Sequence, residues 1–268
     1  MPARRIISPR NPRLIEFRKL SSARKYRLGL GKLALEGPNL VLSALERGFV
    51  PEAIILSDDY DRKELAFIEK KAPDAEIYLV PPGLFKSLSD TETPQGIAAI
   101  IPYNLKKPEE ISAFPSGTAS LLLDRISDPG NMGTIIRTAA SAGAETVYYT
   151  SGSADPYSPK VLRATAGAIF SVQLVPVSEP LKLVETLKEA GIVVADTGPD
   201  AKLSYWDAHF GRTPLFIIGN ESFGTAPELK AAATVTLSIP QAEDGAGSLN
   251  AAVAAALLLY EAYRRLAT

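Results

Sequence analysis

Apolar and polar positions alternate along this chain in blocks, with short apolar runs separated by amphipathic stretches. In the first hundred residues, Leu14–Leu20 and Ala23–Leu30 predict two short helices joined at Ser21-Ser22, which could cap the second. Leu33–Leu35, Ala53–Leu56, Glu76–Val80 and Gly96–Ile101 predict strands. Helical patterns at Asn39–Arg47 and Arg62–Lys71, and a short helix opened by Pro81-Pro82-Gly83, fall between them. That alternation predicts a compact α/β module. The second half alternates more strongly. Strand-like runs lie at Ser120–Asp124, Thr146–Thr150, Phe170–Val175, Ile192–Asp196, Leu215–Gly219 and Val235–Ile239. Helical segments lie at Met132–Ala142, Pro159–Gly167, Leu181–Ala190, Pro227–Ala233 and Leu249–Leu266. Runs that are apolar throughout suit parallel strands covered on both faces. A doubly wound parallel sheet is therefore predicted, with ligands beyond the carboxyl ends of its strands.

Between the halves, Pro102–Gly117 carries three prolines, adjacent lysines and a glutamate pair, without a sustained apolar period. The predicted organisation is a domain over 1–105, a linker over 106–117 and a second domain over 118–268.

Composition narrows the chemistry. There is no cysteine, which excludes disulfides, thiolate metal sites and pyrimidine chemistry that begins with a cysteine nucleophile. The single histidine, His209, leaves no histidine-rich metal centre, and no metal is expected. No apolar run approaches the roughly 20 residues that cross a bilayer. The basic N-terminus is not followed by an apolar signal core, so a cytoplasmic protein is expected. The overall charge of −1 hides an asymmetry, because Met1–Lys32 carry +9. A basic block on an otherwise acidic chain fits a polyanionic partner, although a solvated helix face would show the same run.

Candidate chemistry gathers in three polar turns that follow strands. The first is Asp128-Pro129-Gly130-Asn131-Met132-Gly133, with Arg137 one helical turn beyond Gly133. The second is Ile218-Gly219-Asn220-Glu221-Ser222-Phe223-Gly224, where a carboxylate directly after an apolar strand needs partners. The third runs from Ile239-Pro240 to Ser248-Leu249-Asn250 and opens an alanine-rich helix. Its Gly245-x-Gly247 is not a dinucleotide fingerprint, since Asn250 occupies the third glycine position and the strand is not the first. No phosphate-binding G-x-x-x-x-G-K-[ST] loop is present.

Taken together, the three turns resemble the motifs of the SpoU (TrmH-like) family of RNA ribose methyltransferases. Ser158–Ala168 resembles the family's middle segment. Lys25-Tyr26-Arg27 followed by Leu35-Glu36-Gly37 resembles the RNA substrate-binding domain that often precedes it. The resemblance implies a small N-terminal α/β RNA-binding domain and a C-terminal parallel-sheet α/β domain of SPOUT type, tied in a trefoil knot. It further implies a homodimer, RNA (ribosomal or transfer) as partner, and S-adenosylmethionine as cofactor. The cofactor would be held at Thr197, Gly198, Ile218, Gly219, Asn220, Ile239, Pro240, Ser248 and Leu249. Arg137, Asn131, Glu221, Ser248 and Asn250 would form the catalytic set, and Arg10, Arg13, Arg18, Lys25, Arg27 and Arg163 would meet RNA. Three features depart from the family pattern: Asp128 in place of asparagine, seven residues rather than six between Pro240 and Ser248, and Gly247 in place of glutamate.

The implied reaction is an in-line displacement at a sulfonium methyl by a ribose 2′-oxygen, which demands alignment, exclusion of water and removal of one proton. Arg137 would act as a charged fork on phosphate and hydroxyl. The resemblance also offers it as proton acceptor, a role opposed by a guanidinium's retention of its proton up to roughly pH 12. Two other readings stay open: a non-catalytic RNA-binding or ribosome-assembly factor of the same fold, and an RNA base N-methyltransferase.

Overall fold

A computed structural model describes residues 3–61, 64–104, 118–211, 213–242 and 249–266. The expected linker, Ser248 and the altered stretch 243–247 lie outside the described residues. The chain divides into two compact units, residues up to 105 together with 157–170, and residues 106–156 together with 171–268.

The first unit contains β1 (Arg4–Arg5), α1 (Pro12–Ser22), α2 (Arg24–Leu30), β2 (Lys32–Glu36), α3 (Pro38–Glu46) and β3 (Ala53–Ser57). They are followed by α4 (Leu65–Lys71), β4 (Glu76–Val80), α5 (Pro82–Lys86) and β5 (Ile97–Pro102). Its mixed sheet runs β1-β4-β3-β5-β2, with β5 antiparallel to both neighbours. Leu14, Phe17 and Leu20 of α1 bury one helix face against Ile55, Tyr78, Val80 and Ile100 of the sheet. Ser21 and Ser22 do not cap α2 as the sequence suggested. Their hydroxyls donate back to the carbonyls of Phe17 and Arg18, and extended Ala23 separates the helices. Such back-bonding satisfies a serine within its own helix and leaves nothing for the next.

The second unit contains β6 (Ser120–Leu123), α6 (Pro129–Ser141) and β7 (Thr146–Thr150). After α7 (Pro159–Thr165), which packs with the first unit, come β8 (Gln173–Val177), α8 (Pro180–Glu189) and β9 (Val194–Thr197). The unit closes with β10 (Leu203–Ser204), β11 (Leu215–Ile218), α9 (Pro227–Ala232), β12 (Val235–Ser238) and α10 (Ala251–Leu266). The seven strands are ordered β10-β12-β9-β11-β6-β7-β8, and every pair is parallel. Strands β6, β7 and β11 are buried throughout, which is why their sequences do not alternate apolar with charged or strongly polar residues.

Register positions the site. Ile218 pairs with Leu123, and Thr197 pairs with Leu237. The turns after β6, β11, β9 and β12 therefore leave one edge of the sheet together, three of them (after β6, β11 and β12) carrying the motifs that sequence alone singled out. Among the element boundaries that differ from expectation, two have a direct physical reason. Strand β8 continues through Pro176, tolerated because β8 is an edge strand with one unpaired side. Helix α6 starts at Pro129 rather than Met132. Asp128 caps it by accepting the Asn131 amide at 2.7 Å, and Pro129 supplies a fixed first residue. Most of the first polar turn is thus the opening of a helix.

Candidate active site

A cavity of about 280 Å³ opens at this sheet edge. Thr197, Gly198, Ile218, Gly219, Asn220, Ile239 and Leu249, all expected to meet the cofactor, line it. Pro240 does not line it, and Ser248 lies outside the described residues. Sequence reasoning missed Leu237, Thr225, Ala251 and Ala254 in the lining. Leu237 could have been found from alternation, since it lies two residues before Ile239 in the apolar run that ends β12. Apolar walls from Ile218, Leu237, Ile239 and Leu249 beside the exposed polar side chains of Asn220, Glu221 and Gln241 suit a flat heteroaromatic ring with polar edges.

Gly219 shows how tightly this wall is built. A Cβ there would lie 2.3 Å from the Thr225 amide nitrogen and 2.4 Å from the Gly224 carbonyl carbon. The chain after β11 thus doubles back directly over Gly219, an approach only glycine permits. The doubled-back turn is tied from several sides. The Asn220 amide nitrogen Nδ2 donates to the Arg125 carbonyl at 2.8 Å, and Asn220 Oδ1 accepts from the Ser222 and Phe223 amides. Arg125 sits at φ +58°, an uncommon conformation for a non-glycine residue. Its guanidinium donates to Asp124 and to the Gly224 carbonyl. Buried Asp124 also accepts the Ala226 amide at 2.8 Å and lies 3.2 Å from the Thr150 hydroxyl. Asp124 and Arg125 escaped sequence reasoning because an acid-base pair at a strand end carries no motif of its own.

Three of the expected catalytic residues meet. Asn131 Nδ2 donates to Glu221 Oε1 at 2.6 Å, and Asn250 Nδ2 donates to Asn131 Oδ1 at 2.9 Å. The direction of this relay is set locally. Asn250 caps α10, its Oδ1 accepting the amides of Ala252 and Val253, so its Nδ2 faces outward. That donor fixes the Asn131 oxygen, and Asn131 then presents its own NH₂ to the carboxylate. Asp128 in place of asparagine is accommodated, because the cap needs only an oxygen acceptor. A second cavity, about 600 Å³, lies between α6 and α10 and includes Asn131, Asn250, Thr134 and Thr138.

Arg137 is not joined to this relay. It lies six residues beyond Asn131, about 9 Å along α6 and roughly 120° around it. It is exposed, and its guanidinium makes no hydrogen bond or ion pair among the described residues.

Asp196, on β9 beneath this region, is fully buried, and neither of its oxygens completes a hydrogen bond. The buried Thr225 hydroxyl lies near it without bonding geometry. Burial pushes the Asp196 carboxyl up, the nearby Thr225 hydroxyl, the Thr197 backbone and Lys230 of α9 oppose the shift, and Asp124, just beyond β6, adds to it. The folded chain therefore holds a proton that the unfolded chain releases above the ordinary value of 3.8. The stability associated with that proton is complete below 3.8 and is lost as pH rises through the folded value. Asp196→Asn cannot ionise, so its melting temperature is expected to gain on that of the unaltered chain as pH rises above the ordinary value of 3.8, until the folded carboxyl ionises. A difference that does not change with pH would show an ionised, well-partnered carboxylate.

In the first unit the basic residues divide. Arg13 bonds to Glu76 and Glu16, and Lys32 bonds to Glu16 and Glu52. Burial disfavours the Arg13 charge, but the bonds to Glu76 and Glu16 outweigh it and hold the guanidinium firmly protonated. Arg27 is buried, and its guanidinium donates to the carbonyls of Leu20 and Ser21 at the end of α1. Burial at the α1–α2 break, not solvent exposure, explains its place in the sequence. Arg163 forms a two-pronged pair with Asp90 and lies 3.8 Å from Glu36. Arg18 donates to the Pro9 carbonyl and the Ser87 hydroxyl. Arg10 and Lys25 are exposed, as are Lys19 and Arg24.

Comparison with known proteins agrees with this architecture. Residues 11–99 match the MRM3-like substrate binding domain. A 23S rRNA (guanosine(2553)-2′-O)-methyltransferase of Bacillus subtilis, RlmP, is 32% identical over 96% of this chain and 98% of its own. A 23S rRNA (uridine(2479)-2′-O)-methyltransferase of Streptomyces viridochromogenes is 30% identical over 98% and 93%. An AdoMet-bound rRNA methyltransferase structure from Sinorhizobium meliloti superposes with a TM-score of 0.84, at 27% identity and 98% coverage of both chains. Residues 118–260 match the SpoU rRNA Methylase family, and with relatives aligned along nearly its whole length the chain belongs to that family.

Proposed function

We propose that the protein transfers a methyl group from S-adenosylmethionine to a ribose 2′-hydroxyl of ribosomal or transfer RNA. The observation that carries this reading is the Glu221–Asn131–Asn250 relay, formed from three distant motifs next to a cavity with apolar walls. When bound, S-adenosylmethionine supplies an electrophilic sulfonium methyl. The residues of the chain then have three tasks. The cavity edges at Gly198, Gly219 and Leu249 hold the nucleoside part through backbone groups and exclude water. The relay fixes the Glu221 carboxylate where it can accept a hydrogen bond from a ribose hydroxyl. Arg137 offers a fork to phosphate and stabilises charge developing on the 2′-oxygen, lowering the hydroxyl's pKa without itself losing a proton.

Sequence-independent affinity would come from Arg10, Lys25 and their exposed neighbours through counterion release. The same reading includes the knotted path of the C-terminal segment, a linker over 106–117 between the two domains and a cytoplasmic location. It also includes a homodimer through the catalytic unit. Val253, Leu257 and Tyr260 form an exposed apolar stripe on α10, extended by exposed Leu249 just before the Asn250 cap, and these three helical residues line the cavity shared with Asn131 and Asn250. A stripe at i, i+4, i+8 and i+11 on one helix face is what a partner helix covers. Leu257→Glu is expected to convert a dimer to a monomer in light scattering, and an unchanged mass would place the interface elsewhere.

The function is tested by incubating the protein with methyl-labelled cofactor and deproteinised ribosomal RNA or bulk tRNA, followed by nuclease and alkaline digestion. Label in an alkali-resistant dinucleotide is expected. Label on a base would establish base methylation, and no incorporation would favour a binding factor.

A further inference from the structure

Phe223 is 82% exposed, the most exposed large apolar side chain among the described residues. Its surroundings make this more than a loose loop tip. Its own amide is held by Asn220 Oδ1 at 3.1 Å, and the Gly224 amide donates to the Asn220 carbonyl at 2.8 Å. Gly224 turns the chain at φ +66°, and the next tie is the Ala226 amide on Asp124. The phenyl ring is therefore presented to solvent by a backbone fixed on both sides. Phe223 lies two residues from Glu221, so their α-carbons are at most about 7 Å apart. A nucleotide whose ribose hydroxyl reaches Glu221 brings its own base, or a flanking base, within that range.

The loop's composition separates two possible occupants. Asn220, Glu221, Ser222, Gly224 and Thr225 leave Phe223 without an apolar neighbour on the turn. A protein partner needs a contiguous patch, whereas a nucleobase needs one ring face. We propose that Phe223 is a stacking platform for a nucleobase beside the ribose that is methylated. This rests on RNA being the substrate, as argued above. A π-face accepts any base, so Phe223 contributes affinity and placement, and base identity is read elsewhere.

The test uses the full chain. Phe223→Ala is expected to lower kcat/KM for the RNA that accepts methyl about tenfold, with the loss in KM, and Phe223→Trp to restore it. Cofactor affinity and mass in solution are expected to match the unaltered chain. A second reading needs no turnover. Trp206 is the only tryptophan, so in a Trp206→Phe background Phe223→Trp carries the sole indole. Deproteinised ribosomal RNA or bulk tRNA, added without cofactor, is expected to quench its emission. An unchanged KM with no quenching overturns the proposal, and so does a changed mass, which would make Phe223 a subunit contact. If the unaltered chain methylates neither RNA, the functional reading falls, while the quenching still decides whether this ring stacks on a base.

Discussion

Arg137→Ala is expected to reduce methyl transfer by at least about a thousandfold, with cofactor affinity and melting temperature unchanged. The size follows from removing a charged donor aimed at developing oxyanion charge, where one lost donor costs about 10²–10³ in rate and a charged one more. The absence of a structural penalty follows from the fold, because Arg137 is exposed and its guanidinium is not tied to other described residues. Arg137→Lys keeps the charge but loses the fork, so it should recover only part of the rate. Undiminished turnover in Arg137→Ala would remove this residue from the mechanism. Because Arg137 points well away from Asn131 on the same helix, mixing Arg137→Ala and Glu221→Gln chains would be informative. Recovered activity in the mixed population would mean that, within the proposed dimer, Arg137 serves its partner's site.

Gly219→Ala tests the opposite kind of residue, one that touches no reacting atom yet holds the wall in place. The added methyl would meet backbone rather than a yielding side chain, at 2.3 Å from the Thr225 nitrogen. Overpacking strain typically costs about 1–3 kcal/mol, and a backbone obstacle belongs at the upper end. The turn can relieve the clash only by lifting off the cavity, which breaks the ties through Asn220 and Asp124. Cofactor binding measured by calorimetry is expected to weaken about a hundredfold, roughly 3 kcal/mol. The melting temperature should fall as well. Wild-type affinity in this variant would show that the turn is free to move and that its tightness serves no ligand.

The parallel sheet was legible because β6, β7 and β11 are buried on both faces and their sequences say so directly. Asn131, Glu221 and Asn250 were legible as a group through motif order, and they do meet. What sequence did not reveal was how. Asn131 looked like a loop residue, because Gly130 and Gly133 mask a helix whose start depends on a cap and a proline. Charge was the least readable feature. The +9 block fitted a polyanionic partner or a solvated helix face, yet Arg13 and Lys32 are engaged by Glu16 within the block and by Glu52 and Glu76 far off in sequence, and Arg27 by helix carbonyls that carry no charge signal. Asp196 was read only as a strand end, since its burial depends on β9 lying between β11 and β12.

The Asn250 amide has a consequence beyond orienting its neighbour. One side chain both starts α10 and holds the outer end of the relay, so fraying of that first helical turn and loosening of the site are a single equilibrium. Whatever covers α10 would slow amide exchange at Ala252 and Val253 and, by the same act, raise the fraction of molecules with Asn131 correctly set. Assembly would then act as a switch on competence, with no signal passed through the core.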